Sequence, residues 1–397
     1  MKRLSLVLGL VMAMMFALTT LSLAITYDMP VYNPSTDASY EILAPSTWED
    51  AESTAVSRGG HLTSIHSEAE NNFIRGMISF FSWLGLNQPP GSLEPGGGWV
   101  WSDGTAVNYT NWAIDEPNDY LGGNENVAEM TAPALWNDRT SAGPLPGVAK
   151  YAGFRGGVIN PANGHHYYLV GGGDWIQIES WAVNLFGGHL VTINDAAEQA
   201  WLESVFGTDT LYWIGMNDVN NEGNWEWVSG EPVTYTNWAD GEPNNYGGVE
   251  DYAVMNWGVG YWNDVWIGSP FITVGIVEVV PKPITIDIKP GSFPNSINLK
   301  SKGVVPVAVL ATDDFDASTV DPGTVEFAGA PPIRWTMEDV NGDGRPDMLF
   351  HFDTQALGLT QGSTEAILTG YTNGAIPLPV EGTDSVNIVP KSKGKDK

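Results

Sequence analysis

The pattern that most constrains this chain is written twice. Glu116-Pro117-Asn118-Asp119 is followed by Glu125 and then by Trp136-Asn137-Asp138. Glu242-Pro243-Asn244-Asn245 is followed by Glu250-Asp251 and then by Trp262-Asn263-Asp264. Both motifs recur at a spacing of 126 residues. Each version crowds side-chain oxygens into one stretch, and none of these donors presents sulfur or imidazole. Hard cations such as calcium take about six to eight oxygens at roughly 2.3–2.6 Å, mixing carboxylates with amide carbonyls. A proline between two donors allows a cis bond at modest cost, which turns the flanking side chains toward one point.

The repetition reaches well beyond these motifs. A strand begins at Tyr40, and Ser46 or Thr47 caps a helix with acids in its first turn. Gly59-Gly60 ends that helix, His61-Leu62-Thr63 continues extended, and Ser67-Glu68 opens a second helix. Trp83-Leu84-Gly85, Trp99-Val100-Trp101 and Tyr109-Thr110-Asn111-Trp112 follow. The same events recur as Tyr167-Tyr168-Leu169, a helix from Asp174 to Phe186, Gly187-Gly188-His189-Leu190, and a helix capped at Asn194-Asp195. Trp213-Ile214-Gly215, Trp225-Glu226-Trp227 and Tyr235-Thr236-Asn237-Trp238 complete the second pass. A tandem duplication follows, with units at 38–154 and 164–280 joined by the Gly/Pro/Asn-rich segment 155–163. Polar residues 25–37 read as a linker. Beyond Pro281-Lys282-Pro283, short alternating runs from 284 to 390 predict an antiparallel β-sandwich-like domain. Residues 391–397 read as a flexible basic tail.

Two helices, Gly-Gly-His-Leu, Trp-Ile-Gly, Asn-Trp, Glu-Pro-Asn and Trp-Asn-Asp, in that order, resemble the C-type lectin-like domain. The expected class is α+β: two such domains, each with two helices, mixed antiparallel sheets and a long ligand loop, followed by the all-β domain. The last resembles β-rich modules near the carboxyl end of secreted prokaryotic proteins. The family usually carries two disulfides, and here Ala55, Val127, Ala182 or Val183, and Tyr252 fall where cysteines are expected.

In the second copy the resemblance implies that Glu242, Asn244, Glu250, Asn263 and Asp264 hold calcium and sugar together. Calcium takes two vicinal hydroxyls, while each hydroxyl donates to a carboxylate and accepts from an Asn amide. With acceptor Glu before donor Asn, the resemblance implies a preference for equatorial 3- and 4-hydroxyls, hence mannose, glucose, N-acetylglucosamine or fucose. Asp218, Glu222, Asn245, Glu250 and Asp251 match the family's auxiliary calcium site. In the first copy Glu116, Asn118, Asn137 and Asp138 match. Leu121 is an insertion that moves Glu125 into the role of Glu250, and Asn87-Gln88-Pro89-Pro90 lacks auxiliary acids. In the tail, Asp339, Asn341, Asp343 and Asp347 stand at positions 1, 3, 5 and 9 of a calcium-type loop, with Gly344 at the turn. Position 12 is Phe350, so the loop is not a full EF-hand.

Composition narrows the partners. The formal charge of −30 repels phosphate backbones and argues against nucleic acid. Lys2 and Arg3, the apolar run Leu4 to Leu18, and Ser22-Leu23-Ala24 give residues 1–24 the form of a cleaved secretory signal. No second run of spanning length follows, so no membrane span is expected in the mature chain. An exported chain without cysteine lacks disulfides, and bound calcium is an alternative staple. No His-Glu-x-x-His, Gly-x-Ser-x-Gly or phosphate loop occurs, so an enzyme is not expected. The expected protein is a secreted or cell-surface calcium-dependent lectin or adhesin. The competing expectation is a protein-binding adhesin or matrix component in which calcium only stiffens loops. Duplication serves avidity if both sites reach one surface.

Overall fold

The computed structural model describes residues 29–78, 81–120, 124–269 and 272–389. The expected signal at 1–24, the inserted Leu121 and the tail at 391–397 lie outside them.

The first copy is built from short, well-marked elements. Strand β1 (Val31–Asn33) precedes β2 (Ala38–Ile42). Helix α1 (Trp48–Ser57) starts where Thr47 accepts a hydrogen bond from the Asp50 amide, and Glu49 and Asp50 complement the helix dipole. After β3 (His61–Leu62), α2 (Glu68–Met77) is capped by Ser67 in the same way. Strands β4 (Ser82–Asn87), β5 (Val100–Trp101), β6 (Val127–Met130), β7 (Trp136–Arg139) and β8 (Val148–Ala152) complete the copy.

The second copy repeats this order. It comprises β9 (Val158–Ile159), β10 (His166–Gly171), α3 (Trp175–Trp181, capped by Asp174), β11 (His189–Leu190) and α4 (Ala196–Phe206, capped by Asp195). Strands β12 (Tyr212–Asn217), β13 (Glu226–Trp227), β14 (Tyr252–Met255), β15 (Trp262–Val265) and β16 (Val274–Val279) follow. The helix expected from Asp174 to Phe186 changes character at Ala182, where a π-helical turn runs to Phe186 and closes on Gly187 at φ 66°.

Each stretch read as a linker contains a short strand. β1, inside the stretch read as linker, pairs antiparallel with β2 and parallel with β10, so it stitches the two copies together. β9, inside 155–163, pairs with β10. One buried cluster also runs through both copies, joining Tyr40, Phe73 and Trp136 to Tyr167, Leu202 and Trp262. Close approach at this joint requires glycine. A Cβ on Gly171 would lie 2.6 Å from the Phe73 ring and 3.0 Å from the Thr273 carbonyl oxygen.

Among the described residues, the only helix of the carboxyl-terminal part is one short 3-10 turn at Ala317–Thr319. Its strands are β17 (Lys282–Pro283), β18 (Ile286–Ile288), β19 (Ser296–Ile297), β20 (Val304–Val309), β21 (Glu326–Phe327), β22 (Arg334–Glu338), β23 (Asp347–Asp353), β24 (Glu365–Tyr371), β25 (Pro379–Ser385) and β26 (Asn387–Ile388). Two four-stranded sheets, β17-β25-β24-β21 and β18-β20-β23-β22, share a core containing Ile288, Val307, Phe327, Phe350 and Leu368. The main ladders are antiparallel as expected, while β17 with β25 and β19 with β26 pair parallel. Among the described residues no helix is long and apolar enough to cross a membrane.

Candidate functional site

In the second copy, β14 and β15 place Trp262, Asn263 and Asp264 opposite Met255, Val254 and Ala253. Trp262 is fully buried, donates to the Gln199 side chain at 2.8 Å, and meets Trp227, Tyr235 and Trp238 edge-on. That aromatic cluster fixes the base of the long loop. Asp264 is buried and holds the loop tip, with Oδ1 accepting from the Asn244 amide (3.1 Å) and Oδ2 from the Asn245 amide (2.6 Å). Glu250 accepts from the Tyr246 amide at 2.7 Å, and Asn245 Oδ1 accepts from the Glu250 amide at 3.2 Å. Asn244 Nδ2 donates to Glu242, and the Glu242–Pro243 bond is cis.

The side chains of Glu242, Asn244, Glu250, Asn263 and Asp264 are therefore gathered at one loop-and-strand junction. Burial, and then the neighbouring Asp264 and Glu250 carboxylates, push the Glu242 carboxyl above the usual range. Burial and the Asp264 charge do the same to Glu250. Asn263 Oδ1 is buried with no hydrogen-bond partner among the described residues. Crowded anions and an orphaned amide oxygen fit a hard cation, which would accept the lone pairs and cancel the repulsion.

Beside this group, ligand atoms of Asp218, Glu222 and Asp251 lie within 4.8 Å of one another. Asp218 Oδ1 is a second orphaned, buried oxygen. Burial first, then the charges of Glu222, Asp251 and Asp264, raise the Asp218 pKa. Of the expected auxiliary set, Asn245 and Glu250 are also bonded to each other's loop, as above.

The first copy reproduces the geometry despite its insertion. Asp138 accepts from the Asn118 amide (3.0 Å) and the Asp119 amide (2.8 Å). Glu125 accepts from the Tyr120 amide at 2.7 Å, and Asp119 Oδ1 accepts from the Glu125 amide at 3.1 Å. Glu116 precedes another cis bond, the one to Pro117, and its Oε2 is orphaned. Burial, a hydrogen bond with Asp138, and the charges of Asp138, Glu125 and Asp115 push Glu116 up to about 7. Gln88 takes the place of Asp218 and spends its amide on the Pro95 and Gly97 carbonyls, at 3.1 and 2.7 Å. A neutral amide tied to backbone oxygens replaces the auxiliary acid there.

Sequence reading missed Glu129 and Arg139. Asn137 Nδ2 donates to Glu129 Oε1 at 3.2 Å and to the Asp138 carbonyl at 2.7 Å, and Arg139 pairs with Glu129 at 3.1 Å. In the second copy the register puts Val254 and Val265 at these places. The signal was the charged pair flanking Trp-Asn-Asp in one copy only, hidden by unequal loop lengths.

In the tail loop, Asp339 caps the amides of Gly342, Asp343 and Gly344 at 2.7 to 3.0 Å, and Asn341 and Asp343 each accept one amide. Asp347 is buried and turned inward, accepting from the Ala311 and Val340 amides at 2.8 and 2.9 Å. His61 and His189, just beyond each first helix, pair with Glu52 and Glu179 within that helix, which is a structural use.

Residues 44–148 and 182–269 match the lectin C-type domain family model. The chain carries two C-type lectin-like domains in tandem. Human C-type mannose receptor 2 is 30% identical over 253 residues, covering 58% of this chain and 17% of the receptor. Human secretory phospholipase A2 receptor is 29% identical over 238 residues, covering 52% of this chain and 15% of that protein. This chain thus spans less than a fifth of either relative. Among solved structures, the cow CD23 C-type carbohydrate-recognition domain, crystallised with a GlcNAc2Man3 oligosaccharide, is 29% identical, with a TM-score of 0.27, covering 30% of this chain and 91% of that one. The C-type lectin-like domains here lack the cysteines of the family pattern, and packing of Ala55, Ala182 and Tyr252 in the core stands in their place.

Proposed function

We propose that this protein is a secreted, non-enzymatic, calcium-dependent lectin that binds mannose-type sugars. Glu242, Asn244, Glu250, Asn263 and Asp264 would hold one calcium, and two vicinal equatorial hydroxyls of the sugar would complete its shell. Glu242 and Glu250 would accept hydrogen bonds from those hydroxyls, and the Asn244 and Asn263 amides would donate to them. Asp218, Glu222 and Asp251, with Asn245 and Glu250, would hold a second ion. Glu116, Asn118, Glu125, Asn137 and Asp138 would hold one in the first copy. Asp339, Asn341, Asp343 and Asp347 would hold a structural one in the tail.

The observation that carries this reading is the buried, orphaned Asn263 Oδ1, in the strand that also carries Asp264, together with the Glu242 and Glu250 carboxyls, whose proton affinity is raised by burial and then by the Asp264 charge. A relative named as a mannose receptor supports the sugar class. A glycan array with and without chelator tests it. Binding to mannose-type glycans in calcium, abolished by chelator and lost or redirected in Asn244→Asp, is expected. Signals unchanged by chelator overturn the reading. If a protein ligand is instead retained in Asn244→Asp with calcium still bound, the rival role as a protein-binding adhesin stands.

A further inference from the structure

One strand of the carboxyl-terminal part is exposed along its whole length. β22 reads Arg334-Trp335-Thr336-Met337-Glu338, and each of these residues is exposed. It ends its sheet: β23 lies on one side, and among the described residues no strand lies on the other. Trp335 and Met337 stand opposite Phe350 and Met348 of β23, and directly opposed residues share a face. Phe350 and Met348 are buried in the core, whereas Trp335 is 45% and Met337 38% exposed, with Ile333 beside them at 60%. The core-side face of the sheet therefore runs on past the core as an uncovered apolar ledge.

The backbone phase of this edge follows from Pro306. Its carbonyl accepts from the Lys289 amide at 2.8 Å, on the β18 side of β20, away from β23. Alternation along β20 then directs the polar groups of Val305, Val307 and Val309 to β23, where they meet Phe352, Phe350 and Met348. His351, Leu349 and Asp347 are left to bond Arg334, Thr336 and Glu338. Trp335 and Met337 thus turn their N–H and C=O groups outward, an open template for another strand.

The side chains say which strand fits. Antiparallel pairing of β22 with itself, centred on Thr336, places Arg334 opposite the partner's Glu338 and Glu338 opposite the partner's Arg334. Trp335 meets the partner's Met337, an aromatic–sulfur contact, and the two exchange their outward backbone bonds. Parallel in-register pairing would instead set arginine against arginine and glutamate against glutamate, which is destabilising. Moving the centre to Trp335 or Met337 breaks both opposite-charge pairs. One orientation and one register satisfy charge, apolar ledge and backbone together.

We infer that this protein dimerises through β22, joining two four-stranded sheets into one continuous sheet about a twofold axis. The dimer doubles the number of lectin-like domains held in one particle, which multiplies avidity for any repeated ligand they share. The inference does not depend on what those domains bind.

Analytical ultracentrifugation of the full-length protein tests it, from about 1 μM to about 100 μM. Calcium and free methyl α-mannoside are present, so sugar contacts cannot link the copies. Physiological salt screens the repulsion between two acidic chains. Wild type should pass from monomer to dimer. Arg334→Glu sets like charges opposite each other at both ends of the pairing, as does Glu338→Arg, so each should weaken dimerisation about tenfold or more. An equimolar mixture of the two variants should recover the dimer, because every like pair becomes an opposite pair across the heterodimer. Both side chains are exposed, and unchanged thermal unfolding of the monomers confirms that each variant folds. Monomeric wild type throughout the range overturns the inference and leaves the edge to a strand of a different protein. Dimer retained in both single variants, or not recovered in their mixture, overturns it as well.

Discussion

Lys150 and Glu278 hold the same place in the two copies with opposite charge. His61 pairs with Lys150 across β3 and β8 in the register that pairs His189 with Glu278 across β11 and β16. In the first copy Lys150 forms an ion pair with buried Glu70 at 2.7 Å. In the second, Glu198 and Glu278 share the Tyr167 hydroxyl at 2.6 and 3.0 Å, and His165 Nδ1 lies 2.6 Å from Glu278. His165 thus supplies the positive charge that Lys150 supplies elsewhere.

A pH dependence follows from this exchange. The hydrogen bond with Glu278 raises the His165 pKa above its ordinary 6.5. The folded state then binds a proton more tightly than the unfolded one, so the stabilisation is complete below 6.5 and fades as pH rises through the raised value. With calcium held saturating, the unfolding midpoint of wild type should fall from about pH 6 to about pH 8, the window in which histidine titrates. His165→Gln should be less stable at the acidic end and flatter across the range. A variant curve parallel to that of wild type would contradict this.

The calcium-free protein should respond to pH through Glu116. Its carboxyl, pushed up to about 7, holds a proton that the unfolded chain releases at lower pH. Stability without calcium should therefore decline as pH rises through this window. Added calcium binds the ionised form, so its stabilising increment should grow with pH. Thermal scans in chelator and in calcium at several pH values check both slopes, and Glu116→Gln should weaken both.

Glu129 is expected to position Asn137. Its Oε1 accepts from Asn137 Nδ2 at 3.2 Å, which fixes the orientation of that amide. One net hydrogen bond is worth about 0.5–1.5 kcal/mol, so Glu129→Val should weaken calcium binding in the first copy by about 2- to 10-fold. Calcium titration of Glu129→Val in a Glu250→Ala, Asp339→Ala background, which removes the second-copy and tail sites, isolates the first site. Unchanged affinity would remove Glu129 from the account.

The joint between the copies predicts shared stability. Gly171→Ala forces a methyl against Phe73 and the Thr273 carbonyl, and overpacking of this kind costs about 1–3 kcal/mol. Both lectin-like copies should lose thermal stability together in calorimetry. Two separate transitions, only one of them shifted, would show that the copies unfold independently.

The oxygen-rich loops were legible in the sequence because Glu-Pro-Asn and Trp-Asn-Asp are local and repeated, and their backbone anchoring on Asp138 and Asp264 follows the same spacing. β1 was not. Val31-Tyr32-Asn33 is too short to carry a period, and one of its partners, Leu169, lies in the other copy. The relation of Glu129 to Val254 was hidden because Leu121 shifts one loop and the β6–β7 turn is one residue shorter than the β14–β15 turn. The parallel pairs at β17 and β26 were illegible for the reason that applies to β1: two residues carry no direction.

The central claim is that calcium and sugar meet at one set of side chains. Calorimetric titration of the full-length protein with methyl α-mannoside in calcium tests it most directly. The account predicts weak binding with a Kd on the order of 1 mM, about −4 kcal/mol. That binding should vanish in chelator and in the Glu116→Ala, Glu242→Ala double variant. Mannoside binding that persists in chelator, or in the double variant, would contradict it.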